Sequence, residues 1–295
     1  MIDLIIPARK KDLGGGLLVG RVLPFARRRM VGPFVFLDHM GPADFQPGEG
    51  VDVRPHPHIG LSTVTYLFEG ELLHHDSLGT VAPIVPGEVN WMTAGRGIVH
   101  SERTRADLRA RGLRMDGIQA WVALPKEEEE TAPAFAHIGA ENLPRFEEGG
   151  VRGTVIAGNF LGLKGAPGHS PLFYAHLDMR QASRFALPGD FSEQAVYVAH
   201  GRVHLGDTPL EEGHMAVFAK DAAVLLEARD GPVRLMLLGG EPVGERYIWW
   251  NFVASSLERI EEAKADWKEG RLPLPPSDNG EFIPLPEPPP PTDPV

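Results

Sequence analysis

The chain has 295 residues, enough for two compact domains or one large one, and it carries a formal net charge of -11. An acidic excess of this size disfavours direct binding to nucleic acid, because phosphate backbones are repelled. The absence of cysteine excludes disulfides, thiolate metal sites and cysteine nucleophiles, so any metal must be held by His, Asp or Glu.

The composition predicts an all-β protein. Glycine and proline are abundant, and they separate short runs rich in β-branched and aromatic residues, which is typical of antiparallel strands joined by turns. No apolar run approaches the roughly eighteen residues of a membrane span, and the opening residues lack the pattern of a secretory signal. We therefore expect a cytoplasmic protein without membrane contact.

The first chemically informative segment contains His56 and His58, which are flanked by Pro55 and Pro57. The prolines disfavour a helix and hold the segment extended. Alternate side chains of an extended chain share a face, so the two imidazoles are expected to point the same way. This is a spacing typical of metal ligands.

A second pair with the same alternation, His100 and Glu102, ends a predicted strand after the turn Gly95–Gly97. If the two segments face each other, three imidazoles and one carboxylate converge, and coordination positions stay open for a substrate. Such nitrogen and oxygen donors suit one divalent metal, for which we predict Fe(II), with Mn, Ni, Cu and Zn as competitors. Burying four such groups without a metal would be unfavourable.

Between the two pairs, the segment His74–Ser77 is interpreted as a turn. Asp76 could orient an imidazole of the site, but the predicted site does not include this segment.

A polar, strand-poor stretch follows the four glutamates Glu127–Glu130. We place the domain boundary there, giving an N-terminal domain of residues 1–135 with the metal site and a C-terminal domain of residues 136–295. His200, His204 and His214 in the second domain are interpreted as surface or turn histidines, because no acidic residue lies in register with them.

Near the C-terminus, one helix is predicted from Ser255 to about Glu269. Ser255 and Glu258 fit a capping box, and an apolar stripe formed by Leu257, Ile260, Ala263 and Trp267 is expected to dock on the protein. The proline-rich tail from Leu272 to Val295 is interpreted as a surface strap or a loose terminus, with recruitment of a proline-binding partner as the alternative.

The ordered set His56, His58, His100 and Glu102 resembles the metal site of pirins, which belong to the cupin superfamily. The segments Phe34–Pro42, Arg54–Leu61, His75–Gly79 and Trp91–Glu102 carry this resemblance, and Trp249–Val253 is similar to a C-terminal signature of one pirin branch. The resemblance implies a bicupin, with two β-sandwich barrels and iron in the N-terminal barrel only. The glutamate that usually follows the His-x-His of cupins is absent, and Glu102 would take its place.

By resemblance, the function is that of a non-haem metal dioxygenase that cleaves flavonols such as quercetin. Its partners would be an aromatic small molecule and dioxygen, and Glu102 would act both as a ligand and as the base for the flavonol 3-hydroxyl proton. Phe34, Phe36, Met40 and Phe45 offer an apolar wall for the substrate, although core packing explains them equally well. The resemblance also implies an alternative, an iron-dependent redox-sensing regulator that acts through a protein partner. A cupin with other small-molecule chemistry is a third alternative.

Overall fold

The computed structural model of the protein describes residues 2–13, 17–287 and 293–294. Strands predominate over this part of the chain, which also contains the helices α1 (Ala106–Arg111) and α2 (Leu257–Lys268). In chain order the strands are β1 (Ile2–Pro7), β2 (Arg9–Asp12), β3 (Leu18–Leu23), β4 (Phe34–Phe45), β5 (Asp52–His58), β6 (Leu61–Glu69), β7 (Leu72–Asp76), β8 (Val81–Ile84), β9 (Val89–Thr93), β10 (Ile98–Arg103), β11 (Leu113–Ala123), β12 (Ala134–Ile138), β13 (Arg145–Glu148), β14 (Val151–Phe160), β15 (Leu163–Lys164), β16 (Leu172–Met179), β17 (Arg184–Leu187), β18 (Glu193–His200), β19 (Arg202–Leu205), β20 (Thr208–Glu211), β21 (His214–Phe218), β22 (Val224–Glu227), β23 (Val233–Gly240), β24 (Tyr247–Trp249), β25 (Phe252–Ala254) and β26 (Asp293–Pro294). Within the described residues, neither helix has the length and apolar character needed to cross a bilayer.

Two compact units make up the chain, and each is assembled from separate segments. Unit A comprises Lys10–Val19, Phe36–Ala140 and Val243–Val295, and unit B comprises Met1–Arg9, Gly20–Val35 and Glu141–Pro242. The predicted limits, 1–135 and 136–295, place one boundary near the division at residues 140 and 141. The predicted domains differ from the two units at the ends of the chain. The N-terminal strand β1 pairs with β21 in unit B, and the C-terminal helix α2 packs on β24 and β25 in unit A.

Unit A is built on two main sheets. One has the strand order β12-β9-β6-β11-β4-β3-β2, and the other, of four strands, has the order β5-β10-β7-β8. A core cluster with Leu67 and Met115 from the first sheet and Leu72 and Ile84 from the second packs the two sheets together. A smaller sheet, β25-β24-β26, also lies in this unit.

Unit B repeats the plan of one larger and one four-stranded sheet. Its larger sheet has the order β1-β21-β18-β23-β16-β14-β13, with β15 paired to β14, and its smaller sheet has the order β17-β22-β19-β20. Aliphatic and aromatic residues of both sheets form a single core cluster, which includes Phe173, Val196, Val203 and Leu226. The predicted all-β fold with two barrels of sandwiched sheets is therefore confirmed.

The predicted C-terminal helix is also confirmed, with one correction at its start. Helix α2 begins at Leu257, and its N-cap is Ser256, whose hydroxyl accepts a hydrogen bond from the backbone N–H of Arg259. Ser255, which the sequence favoured as the cap, instead donates to Glu129 Oε2 at 2.8 Å. Of the predicted stripe, Ile260, Ala263 and Trp267 are buried, whereas Leu257 is exposed.

After α2, residues 272–287 form a segment that we call the C-terminal strap. It is fastened to β5, β7 and β10 by hydrogen bonds that pair Ser277 Oγ with His75 Nδ1 at 2.7 Å, Asp278 with Ser101 and Arg103, Glu281 with Arg103, and Ile283 N with Pro55 O at 2.8 Å. Side chains alternate along a strand, so Ser101 and Arg103 project from the face of β10 opposite to His100 and Glu102. The strap therefore holds the back of the strand that carries two predicted site residues. The run Pro288–Pro291 lies outside the described residues.

Candidate metal centre

The three predicted histidine ligands lie on two neighbouring antiparallel strands of unit A. Strand β5 carries His56 and His58, strand β10 carries His100, and the register places His56 directly opposite His100. Pro55 and Pro57 keep β5 extended, as the sequence predicted, so both of its histidines project from the same face. All three imidazoles are buried, with at most 7% of their surface exposed.

These rings form a compact triangle. Their centroids are 5.0 Å apart for His56 and His58, 4.4 Å for His56 and His100, and 5.0 Å for His58 and His100. One ring nitrogen of each lies within 4.8 Å of those of the other two, and the Nε2 atoms of His58 and His100 are 3.2 Å apart. The three rings could therefore each offer one nitrogen to a single ion.

Hydrogen bonds at Nδ1 set the orientation of the two rings on β5. His56 Nδ1 donates to the carbonyl of Arg54 at 2.8 Å, and His58 Nδ1 donates to the carbonyl of Asn251 at 3.1 Å. Because a carbonyl can only accept, each bond places the ring proton on Nδ1 and leaves the lone pair on Nε2. Asn251 belongs to the two-residue turn between β24 and β25, in which Trp250 has a left-handed φ of 54°.

Burial keeps the imidazoles neutral. Desolvation lowers the pKa of His56 from 6.5 to about 4, and it lowers the pKa of His58 and His100 well below that ordinary value. The proximity of the rings to one another acts in the same direction, since a second positive charge would be repelled. A neutral imidazole is the form that binds a metal, so the donor set fits a divalent cation.

Glu102 is buried two residues after His100, and the pairing of β10 with β5 shifts by one residue between them. Its Oε1 accepts a 3.3 Å hydrogen bond from Gln119 Nε2, and Gln119 is in turn oriented by Thr65 Oγ1, which donates to Gln119 Oε1 at 2.6 Å. Burial raises the pKa of Glu102 to about 7, against the opposing effect of the Gln119 hydrogen bond. The group of ligand atoms within 4.8 Å of one another that contains His56, His58 and His100 does not include Glu102. Its place as a fourth ligand stays a prediction.

The segment interpreted as a turn, His74–Ser77, contributes directly to the surroundings of the site. Its first residues belong to β7, which pairs with β10 and brings His74 beside His100. The two Nδ1 atoms are 3.4 Å apart, and His74 Nε2 lies 3.0 Å from Asp76 Oδ2. Burial raises the pKa of Asp76, but hydrogen bonds from His74 and from the backbone N–H of Thr80 outweigh it and lower that pKa below its ordinary value. The alternation of His74 and Asp76, the same as that of His56 and His58, is the signal that could have revealed them.

Aromatic side chains flank the histidines. Trp121 makes an edge contact with the His58 ring at 5.0 Å, and Phe36 stacks on Trp121 at 4.0 Å. Of the predicted apolar wall, Phe36 is therefore next to the site. Met40 and Phe45 belong to the core cluster of unit A, and Phe34 packs against Tyr174 in unit B.

His204 and His214 of unit B are both half-buried and have separate partners. His204 Nε2 lies 2.8 Å from Asp230 Oδ2, and His214 Nδ1 donates to the carbonyl of Glu212. His200 ends β18, and Gly201, with a φ of 82°, turns the chain into β19 before His204. His200 and His204 are thus on different strands.

Comparisons with known proteins agree with this architecture. The chain matches the Pirin family over residues 17–122 and the pirin C-terminal cupin domain over residues 174–273. The "Pirin-like protein" of Caulobacter vibrioides is 59% identical over 291 residues, which cover 97% of this chain and all of the relative.

Two crystal structures of quercetin 2,3-dioxygenase from Acinetobacter baumannii are similar in fold. The first has a TM-score of 0.88 and 34% identity, and the match covers 96% of this chain and 94% of that one. The second has a TM-score of 0.86 and 29% identity, with coverage of 92% and 98%. Since both family regions match in order, and relatives align over nearly the whole length, the chain belongs to the pirin family of cupin proteins.

Proposed function

We propose that the protein is a metal-dependent dioxygenase that cleaves flavonols such as quercetin. The observation that carries this proposal is the convergence of three buried, neutral imidazoles beside a buried carboxyl group whose pKa is about 7. The similarity to structures of quercetin 2,3-dioxygenase supports the choice of substrate.

His56, His58 and His100 would hold one divalent ion, with Glu102 as the fourth ligand. We propose Fe(II), with Mn, Ni, Cu and Zn as competitors for the same nitrogen and oxygen donors. When bound, a divalent ion would supply Lewis-acid chemistry, and Fe(II) would also supply redox chemistry toward dioxygen.

The residues of the chain would supply proton transfer and substrate orientation. Burial raises the pKa of Glu102 to about 7 when no cation is bound to it, so off the metal it is suited to accept the 3-hydroxyl proton of a flavonol, and Gln119 holds its carboxylate in place. Trp121 and Phe36, which stack on each other next to His58, give this side of the site an aromatic lining that suits an aromatic substrate. In the proposed reaction, one dioxygen is consumed for each carbon monoxide released.

The test starts from elemental analysis of untagged protein. Quercetin is then added without oxygen, oxygen is admitted, and flavonol loss and carbon monoxide are measured together. We expect Glu102→Gln to retain its metal and to lose turnover at least 100-fold, and His58→Ala to lose the metal. Full turnover by metal-loaded Glu102→Gln would refute the assignment of the base.

The same experiment addresses the regulatory alternative. A spectral change on quercetin binding without turnover in the wild type would contradict the dioxygenase proposal and favour a sensor that acts through a protein partner. Turnover with stoichiometric carbon monoxide would favour the enzyme.

A further inference from the structure

We propose that His74 and Asp76 are positioning residues that hold the ring proton of His100 on Nδ1, so that Nε2 of His100 faces the metal. This inference rests on the metal site in the proposed function, but not on the identity of the substrate. It concerns a chain of three side chains on the neighbouring strands β7 and β10, which runs from Asp76 through His74 to His100.

Asp76, which is fully buried, determines which atoms donate in this series of hydrogen bonds. Its Oδ1 accepts hydrogen bonds from the backbone N–H groups of Leu78 at 2.9 Å and Thr80 at 3.1 Å, and its Oδ2 faces His74 Nε2 at 3.0 Å. An ionised carboxylate can only accept, so His74 Nε2 carries a proton and donates it to Asp76.

The metal sets the other end of this series at His100. A ring nitrogen that holds a metal carries no proton, so His100, bound through Nε2, would carry its proton on Nδ1 and donate it to the facing Nδ1 of His74, 3.4 Å away. His100 Nε2 lies 3.2 Å from His58 Nε2, and two unprotonated nitrogens at this distance are favourable when a cation accepts both lone pairs. Groups bonded to the outer nitrogen of a ligating histidine usually fix its tautomer and orientation in this way.

His100 differs from the two ligands on β5 in a testable respect. His56 and His58 donate to backbone carbonyls, which no side-chain substitution can turn into donors. The acceptor for His100 is an imidazole nitrogen, which becomes a donor if its proton moves. The tautomer of His100 can therefore be reversed by a change at Asp76, two residues further along the same hydrogen-bonded chain.

Packing alone does not require this chemistry. The His74 ring stacks on Phe135 with a centroid separation of 4.5 Å, and a phenyl ring at position 74 would preserve the stack. His74→Phe therefore separates the packing role of the ring from the role of its nitrogens.

The decisive variant is Asp76→Asn. The asparagine oxygen can still accept from Leu78 and Thr80, but its NH₂ group would face His74 Nε2. His74 would then carry its proton on Nδ1 and donate toward His100, which would move its own proton to Nε2, where the metal binds. We expect Co(II) affinity to fall about 10- to 100-fold, the usual loss when such an outer partner of a ligand is changed.

Two measurements test the inference in protein that keeps its fold, as verified by its melting temperature. Long-range ¹H–¹⁵N correlation spectra of histidine-labelled, Zn(II)-loaded protein report the tautomer of each imidazole, and absorbance titration with Co(II) reports affinity. Wild type should show His74 protonated on Nε2, and Asp76→Asn should show it on Nδ1. His74→Gln, which retains an acceptor and a donor, should bind Co(II) more tightly than His74→Phe.

The matched control is His75→Phe, on the same strand, because His75 contacts Ser277 of the C-terminal strap. It should leave the His74 tautomer and the Co(II) affinity unchanged. If folded Asp76→Asn keeps the wild-type tautomer and affinity, the positioning role is refuted while the metal site stands. If the wild type itself fails to bind Co(II), the proposed metal site is refuted.

Discussion

Gln119 Nε2 donates a hydrogen bond to Glu102 Oε1 at 3.3 Å, and this contact joins the buried carboxyl group of β10 to strand β11. The amide of Gln119 cannot turn around freely, because Thr65 Oγ1 donates to its oxygen. Gln119 therefore favours the ionised form of Glu102 in a setting where burial disfavours it.

We expect Gln119→Leu to raise the pKa of Glu102 further and to move the acidic limb of the kcat/KM profile for quercetin upward by about one pH unit. This is the order of magnitude of one hydrogen bond to a charged group. Activity lost at pH 7 should be regained at higher pH. The control is Ser62→Ala on β6, which removes a buried hydrogen bond to Thr93 on β9. It should leave the acidic limb of the profile at its wild-type pH. An unshifted profile in Gln119→Leu would argue against Glu102 as the base.

The stability of the metal-free protein should fall as the pH is lowered from about 6.5. The pKa values of His56, His58 and His100 are lowered in the folded state, so the unfolded chain takes up three protons there that the folded protein does not. Glu102 acts with the opposite sign between its ordinary pKa of 4.5 and its folded value of about 7, because it is protonated only in the folded state.

The variant His58→Leu isolates one imidazole from the others. It should reduce the dependence of the unfolding free energy on pH by about 1.4 kcal/mol per pH unit between pH 6 and pH 5, which is the linkage for one proton. Urea denaturation at several pH values measures this slope. Ser62→Ala, which removes no titratable group, should leave the slope as in the wild type, and a slope in His58→Leu equal to that of the wild type would contradict the buried neutral state of His58.

Asp278→Asn should detach the C-terminal strap from β10. Arg103 donates to both carboxylate oxygens of Asp278, at 2.8 Å and 3.2 Å, and Ser101 donates to the same group at 2.6 Å. Both ionic side chains are largely buried, so we expect a loss of about 2 kcal/mol in unfolding free energy, measured by urea denaturation. Asp44→Asn breaks an exposed ion pair with Arg114 and should cost less than about 0.5 kcal/mol. Equal effects of the two variants would show that the strap contact is not stabilising.

Ser256→Ala should destabilise the protein by about 1 kcal/mol, because it removes the hydroxyl that accepts from Arg259 N at the start of α2. Ser256→Asp keeps a cap acceptor and should remain close to the wild type. Thermal unfolding of the two variants measures the difference. A loss in Ser256→Asp as large as in Ser256→Ala would indicate that the cap is not the cause.

The β architecture and the shared face of His56 and His58 could be predicted from local patterns, whereas the approach of His100 to them was conditional on the two segments facing each other and was implied by the resemblance to pirins. Alternation along a strand fixed the shared face of His56 and His58, and the paired prolines fixed the extended backbone. The same rule applies to His74 and Asp76, but a short His-Asp-Ser segment after a glycine also fits a turn, and only the pairing of β7 with β10 distinguishes the two.

Other parts of the site depend on contacts between distant segments, which alternation cannot reveal. The carbonyl that orients His58 belongs to Asn251, and the amide that holds Glu102 belongs to Gln119. The prediction of Ser255 as the cap of α2 was wrong for the same reason: Ser255 donates to Glu129, which lies in another part of unit A, and this contact cannot be seen in the local sequence.

The hydrogen bond from His58 to Asn251 has a consequence for how the protein is made. During synthesis, the three histidines leave the ribosome long before the turn that carries Asn251 and before the strap behind β10. An emerging chain can present the imidazoles, but it cannot yet hold His58 in its final orientation. Tight capture of an ion should therefore wait until translation is nearly complete, and a fragment ending after β12 should bind metal weakly even though it contains every proposed ligand.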